Sequence, residues 1–240
     1  MVSYKKYLDI EVFEGELSNH QYPWHYHTCY TIILVEKGLI IYEFENQKVE
    51  VYEKEVFIIE PFLIHRNKIS QQTIYTAIFL PNEYLEFKGK NKILTQIIRF
   101  QNIVDWFIGL LHKIKQNEHN KAVCTSLVEL QAFIEKIPQK HIFDSQSHRK
   151  IIPEIDCDLS INELSKKAHM SKFHFQRKFK QYNGLTVGQL KQQEKTIRAK
   201  ILLEKGKLST DVAHELGFFD QSHFIKYFKK MWATTPKNFK

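Results

Sequence analysis

The spacing of hydrophobic and polar positions changes along this 240-residue chain, and each change predicts a different kind of element. Between 4 and 80 the apolar residues gather in short runs: YTIILVE (30–36), LIIYEFE (39–45), KVEVYE (48–53), EVFIIE (55–60) and TIYTAIFL (73–80). These runs are rich in Ile, Val, Tyr and Phe and are broken at Glu36-Lys37-Gly38, Asn46-Gln47 and Glu53-Lys54, which reads as closely spaced antiparallel strands. Such a set closes into a small barrel or jelly roll. From about 92 to 137 the period becomes helical. Ile97, Ile103, Val104, Phe107, Leu110, Leu111 and Ile114 mark one helical region, and Val123, Leu127, Leu130, Phe133, Ile134 and Ile137 a second. Two amphipathic helices in this place either pack on the barrel or pair with a second subunit. The stretch 138–158 is polar, holds Pro138 and Pro153 and keeps no period, so it reads as a linker.

Beyond the linker the pattern repeats. The segment starting at Leu159-Ser160 recurs at Leu208-Ser209, a shift of 49 positions. At that offset Asn162 falls on Asp211, Ala168 on Gly217, Ser171 on Asp220, His174-Phe175 on His223-Phe224, Arg177 on Lys226 and Phe179-Lys180 on Phe228-Lys229. Each copy has the order of a helix-turn-helix. In the first, Ser160 and Glu163 form a capping box for a helix over 161–168, His169-Met170 make the turn, and Ser171 caps a second helix that stops at Gly184. In the second, Ser209 is expected to cap the first helix, Gly217-Phe218 to turn and Asp220 to cap the next. Between the copies Val187, Leu190, Ile197, Ile201 and Leu202 predict a helix of about 20 residues, ~30 Å long at ~1.5 Å per residue. That length is close to the ~34 Å between successive major-groove faces of DNA, so one chain can read two groove segments.

Charge strengthens this reading. Residues 150–240 carry 18 Lys and Arg against 9 Asp and Glu, a net of +9, while 1–149 hold the remaining 17 and 18, a net of −1. The whole excess of +8 therefore lies in the repeat region, where phosphates would be neutralised. With Phe175 and Phe179 inward, the residues left to reach bases in the first copy are Phe173, Gln176, Arg177 and Lys180. Gln and Arg match adenine and guanine edges, and Phe173 a thymine methyl. The corresponding residues of the second copy are Gln221, Ser222, Ile225 and Lys226, a set suited more to phosphates. His174 and His223 read as packing or phosphate-contacting residues.

The motifs SKFHFQRKFK, IRAKILL, LSTDVAHELGFFDQSHFIKYFKK and TPKNFK together resemble the DNA-binding domain of the AraC/XylS-type transcription regulators, over residues 155–240. The resemblance implies seven helices, two helix-turn-helix units and binding in consecutive major grooves of double-stranded promoter DNA. It places base contacts on Phe173, Gln176 and Arg177, and groove or phosphate contacts on Gln221, Ser222, Ile225 and Lys226. The chain departs from the family pattern at His169, where Gly is usual, at Phe219, where a small polar residue is common, and at Phe239-Lys240.

The N-terminal region resembles a cupin of the kind that serves as sensor in these regulators, through His25-Tyr26-His27, Gly38 and Pro61-Phe62-Leu63-Ile64-His65. Metal-binding cupins bring two histidines, a glutamate and a later histidine onto one ion. Here the glutamate position is Thr31, so no bound metal and no cofactor are expected, although three imidazoles are also a donor set for zinc or iron. His25, His27 and His65, with Trp24 and Tyr30 beside them, are expected to line a site for a small polar or aromatic effector.

The fold class expected is α+β in two domains: a cupin-like β-barrel with two following helices (1–140), a linker (141–154), and an all-α domain with two helix-turn-helix motifs joined by a long helix (155–240). A composition 43% hydrophobic supplies two cores. The odd cysteines Cys29, Cys124 and Cys157 form neither a zinc finger nor a disulfide framework. No run of ~18 apolar residues, no apolar leader, no Gly-rich phosphate loop and no Ser/His/Asp grouping is found. The function expected is a cytoplasmic, non-enzymatic transcription regulator that binds promoter DNA and answers to an effector. It would dimerise through the helices of 92–137 and engage RNA polymerase if it activates. The alternative is a metal-dependent cupin enzyme with a DNA-binding-like appendix.

Overall fold

The computed structural model describes residues 2–84, 95–99, 102–116, 120–135 and 156–239. Its strands, in chain order, are β1 (Val2–Tyr7), β2 (Ile10–Leu17), β3 (His20–Gln21), β4 (Tyr30–Lys37), β5 (Leu39–Glu43), β6 (Lys48–Tyr52), β7 (Val56–Ile59), β8 (Arg66–Ile69), β9 (Thr73–Leu80) and β10 (Gln96–Ile98). β4, β5, β6, β7 and β9 coincide with the predicted runs. They form a six-stranded sheet in the order β1-β2-β9-β4-β7-β10 and a four-stranded sheet in the order β3-β8-β5-β6, with antiparallel pairing throughout. The inner faces enclose Phe13, Ile33, Val35, Ile40, Tyr42, Val51 and Phe57. Gly38 takes φ +93° at the corner between β4 and β5, where a Cβ would lie 2.7 Å from the Gln72 carbonyl oxygen.

β4 is buried on both faces from Tyr30 to Val35, and this decides where the next helices go. Ile33 and Val35 point into the barrel, while Tyr30, Ile32 and Leu34 belong to a second core on the outer face. α1 (Ile103–Lys115) covers that face with Ile103, Phe107, Leu110 and Ile114, a spacing that keeps one stripe inward. α2 (Asn120–Glu135) adds Val123 and Leu127, so both helices pack on the barrel. Each such buried side chain contributes ~1.5–3 kcal/mol. The two helices are tied by Trp106 Nε1, which donates to the Ser126 carbonyl at 2.9 Å. Ile97 is not helical: it lies in β10, opposite Phe57 of β7, because an apolar run this short carries no decisive period. The side chains of Leu130, Phe133 and Ile134, residue Ile137 and the expected linker 141–154 lie outside the described residues.

The C-terminal region holds α3 (Ile161–Lys167), α4 (Lys172–Asn183), α5 (Val187–Glu204), α6 (Ser209–Glu215) and α7 (Gln221–Trp232). The resemblance implies seven helices for this domain, and these five α-helices lie among its described residues. Ser160 and Glu163 form the expected capping box, Ser171 caps α4, Asp220 caps α7, and Gly184 ends α4 in the left-handed conformation. His169 also takes a left-handed conformation, φ +52°, at the position where the resemblance places Gly. The second copy differs from expectation at α6. Leu208 occupies the cap without a side-chain bond, and Ser209 is the first helical residue, its hydroxyl accepting from Gln221 Nε2 at 3.1 Å. α5 has 18 residues, ~27 Å at ~1.5 Å each. Its buried positions are Val187, Leu190, Gln193, Thr196, Ala199 and Lys200, whereas Ile201, one of the apolar positions that predicted the helix, is exposed.

Candidate DNA interface and effector cavity

A cavity of about 90 Å³ lies at the end of the barrel that faces the C-terminal domain. His25 and His65 meet across an antiparallel bridge, with His25 N donating to His65 O at 2.8 Å and His65 N to His25 O at 2.9 Å. Their Nδ1 atoms lie 2.7 Å from the Pro23 carbonyl and 2.9 Å from the Leu63 carbonyl. A carbonyl only accepts, so each Nδ1 carries the proton and each Nε2 keeps its lone pair. One ring nitrogen of His25, of His27 and of His65 lies within 4.8 Å of the other two. Burial pushes all three imidazoles down in pKa, His25 to about 4 against the opposing effect of its Pro23 bond, and His27 further through His25 and His65. The cluster is therefore neutral near pH 7. Beside it stand Thr31, whose buried Oγ1 has no hydrogen-bond partner among the described residues, and the Tyr22 and Tyr75 hydroxyls, 2.8 Å apart.

Two residues expected here are elsewhere. Tyr30 faces the α1 and α2 side of β4, since successive residues of a strand point to opposite faces. Trp24 lies outside the cavity, under the Arg66 guanidinium at 5.0 Å from the ring centre, and lines a neighbouring groove. The cavity wall instead includes Gln193, Ile197, Met231 and Trp232 from α5 and α7. No sequence period marks these four as cavity residues, because the surface they meet belongs to the other domain. The three imidazoles have the donor type and closeness of a metal site, but Thr31 adds a neutral hydroxyl where the resemblance has a carboxylate.

The residues expected to reach DNA are accessible. Phe173, Gln176, Arg177 and Lys180 on α4 are exposed, as are Gln221, Ser222 and Lys226 on α7, and Ile225 is half-buried. Arg177 and Lys180 also line a groove of about 550 Å³ shared with Trp24, Phe44 and Glu45 of the barrel rim. His174 Nδ1 lies 3.4 Å from Arg177 Nη2, and His223 is half-buried against Tyr227 and Phe218.

The family description "AraC-like ligand binding domain" matches residues 7–128, and "Helix-turn-helix domain" matches 164–240. The chain belongs to the AraC family of transcription regulators. This AraC-type chain is 36% identical over 83 residues to "Probable transcription factor PqrA" of Proteus vulgaris, covering 34% of this chain and 68% of that one. It is 21% identical over 253 aligned positions to "HTH-type transcriptional activator RhaS" of Escherichia coli, covering 94% of this chain and 90% of that one. The crystal structure of unsaturated fatty acid-bound ToxT from Vibrio cholerae superposes with a TM-score of 0.60 at 12% identity, covering 98% and 95% of the two chains. The two-domain fold is thus shared at full length. The AraC-type chain is a DNA-binding transcription regulator with an effector-binding N-terminal domain.

In this AraC-type regulator the barrel holds α5 along its length. Gln193 pairs with the backbone of Tyr26 as a strand would, Oε1 accepting from the Tyr26 N–H at 3.3 Å and Nε2 donating to its carbonyl at 2.7 Å. The Tyr26 hydroxyl donates to Glu194 at 3.1 Å. Further along, Lys200 pairs with Glu11 of β2 and lies 4.6 Å from the Trp232 ring centre and 5.4 Å from that of Tyr4. Ile64 and Tyr26 join Leu164, Phe179 and Leu185 in one apolar cluster. Where Gly184 ends α4, a Cβ would lie 3.2 Å from the Ile64 Cδ1. Among the described residues no helix is long and apolar enough to cross a membrane.

Proposed function

We propose that this regulator reads promoter DNA through Phe173, Gln176, Arg177 and Lys180 on α4 and Gln221, Ser222, Ile225 and Lys226 on α7, under control of an effector bound at His25, His27 and His65. The observation that carries the reading is the shared wall of the cavity: barrel residues form one side, and Gln193, Ile197, Met231 and Trp232 of the DNA-binding helices form the other. An occupant therefore touches the helix that sets the spacing of the two readers, and it shifts the domain arrangement to the extent that it binds one arrangement better.

The wall also limits the effector. Among the described residues it contains no Lys, Arg, Asp or Glu, and its imidazoles are neutral acceptors, so a small uncharged molecule that donates hydrogen bonds is favoured. At about 90 Å³ the cavity is well below the ~300–1,000 Å³ of drug-sized sites. ToxT binds an unsaturated fatty acid, a carboxylate near neutral pH, whereas the described wall of this cavity offers no cation to hold one. The division into 1–140, 141–154 and 155–240 belongs to the same reading, as do a cytoplasmic location and contact with RNA polymerase in an activator. So does a homodimer through α1 and α2, whose Ile108 and Val128 are exposed.

The test is promoter footprinting by the purified protein against a panel of small uncharged metabolites. A responsive metabolite is expected to lose its effect in His65→Ala while metabolite-free DNA binding stays unchanged. A full response in that variant would remove the cavity from the reading. The second reading, a metal-dependent enzyme, is favoured only by the closeness of the three imidazoles. Stoichiometric zinc or iron in purified protein, lost in His25→Ala, would support it over the first.

A further inference from the structure

Each helix-turn-helix unit leaves one phenyl ring in solvent beside its reading helix. Phe173, in the first turn of α4, is 75% exposed, and Phe219, immediately before the Asp220 cap of α7, is 91% exposed. Every other phenylalanine whose side chain is described is buried or half-buried. Phe219 is held outward by its surroundings. Phe218 folds inward, its N–H on the Ala213 carbonyl at 2.9 Å and its ring 5.1 Å from that of Phe224. Lys195 Nζ donates to the Gly217 carbonyl at 3.1 Å, and Asp220 Oδ1 accepts from the His223 N–H at 2.6 Å. The turn is therefore fixed on both sides of Phe219, and its ring forgoes the burial that Phe218 obtains.

The turn is bonded by one lysine, and the first half of α7 carries another. Lys195 Nζ stands over the Phe218 ring at 5.5 Å and Lys226 of α7 is exposed, while Gln221 gives its Nε2 to Ser209, Ile225 is half-buried and Ser222 offers only a short hydroxyl. A cationic surface carrying one fixed, exposed ring matches DNA that offers phosphates and an apolar spot. In the major groove that spot is the C5-methyl of thymine. We propose that Phe219 is a base-reading residue of the second unit and contacts a thymine methyl. This rests on the reading that α7 enters the groove. It gives the second unit a sequence preference of its own rather than phosphate contacts alone.

The full-length protein is used to select binders from a randomised duplex library, and each thymine of the selected duplex is then replaced singly by uracil, which removes only the methyl. The wild type is expected to lose about fourfold in affinity at one uracil within the α7 half-site, the worth of one methyl-sized group removed from water. Phe219→Ser should bind the thymine duplex more weakly by a similar factor and be indifferent to that uracil, while Phe219→Leu keeps part of the sensitivity. Equal thermal midpoints of the variants show that the fold is intact, as an exposed position requires. Phe219→Ser with unchanged affinity, or with undiminished uracil sensitivity, overturns the proposal. Lys226→Ala run alongside separates the underlying reading: if it too leaves affinity unchanged, it is the placement of α7 in the groove that fails.

Discussion

His25 is 5% exposed, and burial pushes its pKa down to about 4, below the 6.5 of a free imidazole. Between those two values the unfolded chain takes up a proton that the folded one lacks. The stability held above pH 6.5 is thus lost as the pH falls toward 4. The thermal midpoint should drop across that window, and His25→Asn should flatten the drop; a midpoint unchanged between pH 7 and 5 would contradict the neutral cluster. At the DNA face the expected effects differ in kind. Arg177→Ala should cost about 1–3 kcal/mol on the cognate site and relax preference at one base pair, whereas Lys226→Ala should weaken all sequences alike and reduce the salt slope by about 1. Binding titrations on matched and mismatched duplexes at several salt concentrations distinguish the two. Single residues also mark how far a pattern reaches. The cavity histidines were legible from the resemblance, while Tyr30, next to Thr31, went to the opposite face of β4 because side chains alternate along a strand.

Among the elements, α5 carries the most that a helical period does not show. Gln193 and Lys200 have the chemistry of a solvated face, yet both are buried, because the barrel supplies Tyr26 backbone groups to one and Glu11 with a set of rings to the other. Ile201, though apolar, is left exposed on the side of the helix away from these contacts. Gln193→Leu keeps the volume but leaves the Tyr26 N–H and carbonyl facing an apolar group, at a cost of about 1–3 kcal/mol. Hydrogen exchange at the Tyr26 amide should then quicken without change in the β4 amides, and an unaltered rate would show that the pairing is not what holds α5. The caps were legible where a Ser or Asp stands at the right offset from the helix, as at Ser160, Ser171 and Asp220. At α6 the same signal misled by one residue, since Ser209 bonds to Gln221 rather than to the helix it opens.

For the whole molecule, the repeat units supply most of two apolar clusters, Leu164, Phe179, Leu185 and Leu190 in the first, where Tyr26 and Ile64 of the barrel join them, and Ala199, Val212, Phe224 and Phe228 in the second. A fragment starting near residue 150 should fold and bind one site weakly as a monomer, with Gln193 and Lys200 now in water. The full chain should bind a promoter with two sites more tightly, since the second site is met at a raised effective concentration in a dimer. Equal affinity of fragment and full chain for the two-site promoter would remove the dimer from the account.

The sequence alone determined the local order. Strand alternation, the change to a helical period, the caps and the 49-residue repeat are encoded in neighbours along the chain, and they were enough to give the barrel, the two helix-turn-helix units and the helix between them. The tertiary structure decided which of two faces each element buries and what meets what across the domains. Those outcomes depend on surfaces far apart in sequence. The Tyr26–Gln193 pair, 167 positions apart, brings α5 onto the barrel, and so makes one wall of the histidine-lined cavity out of the helix-turn-helix domain.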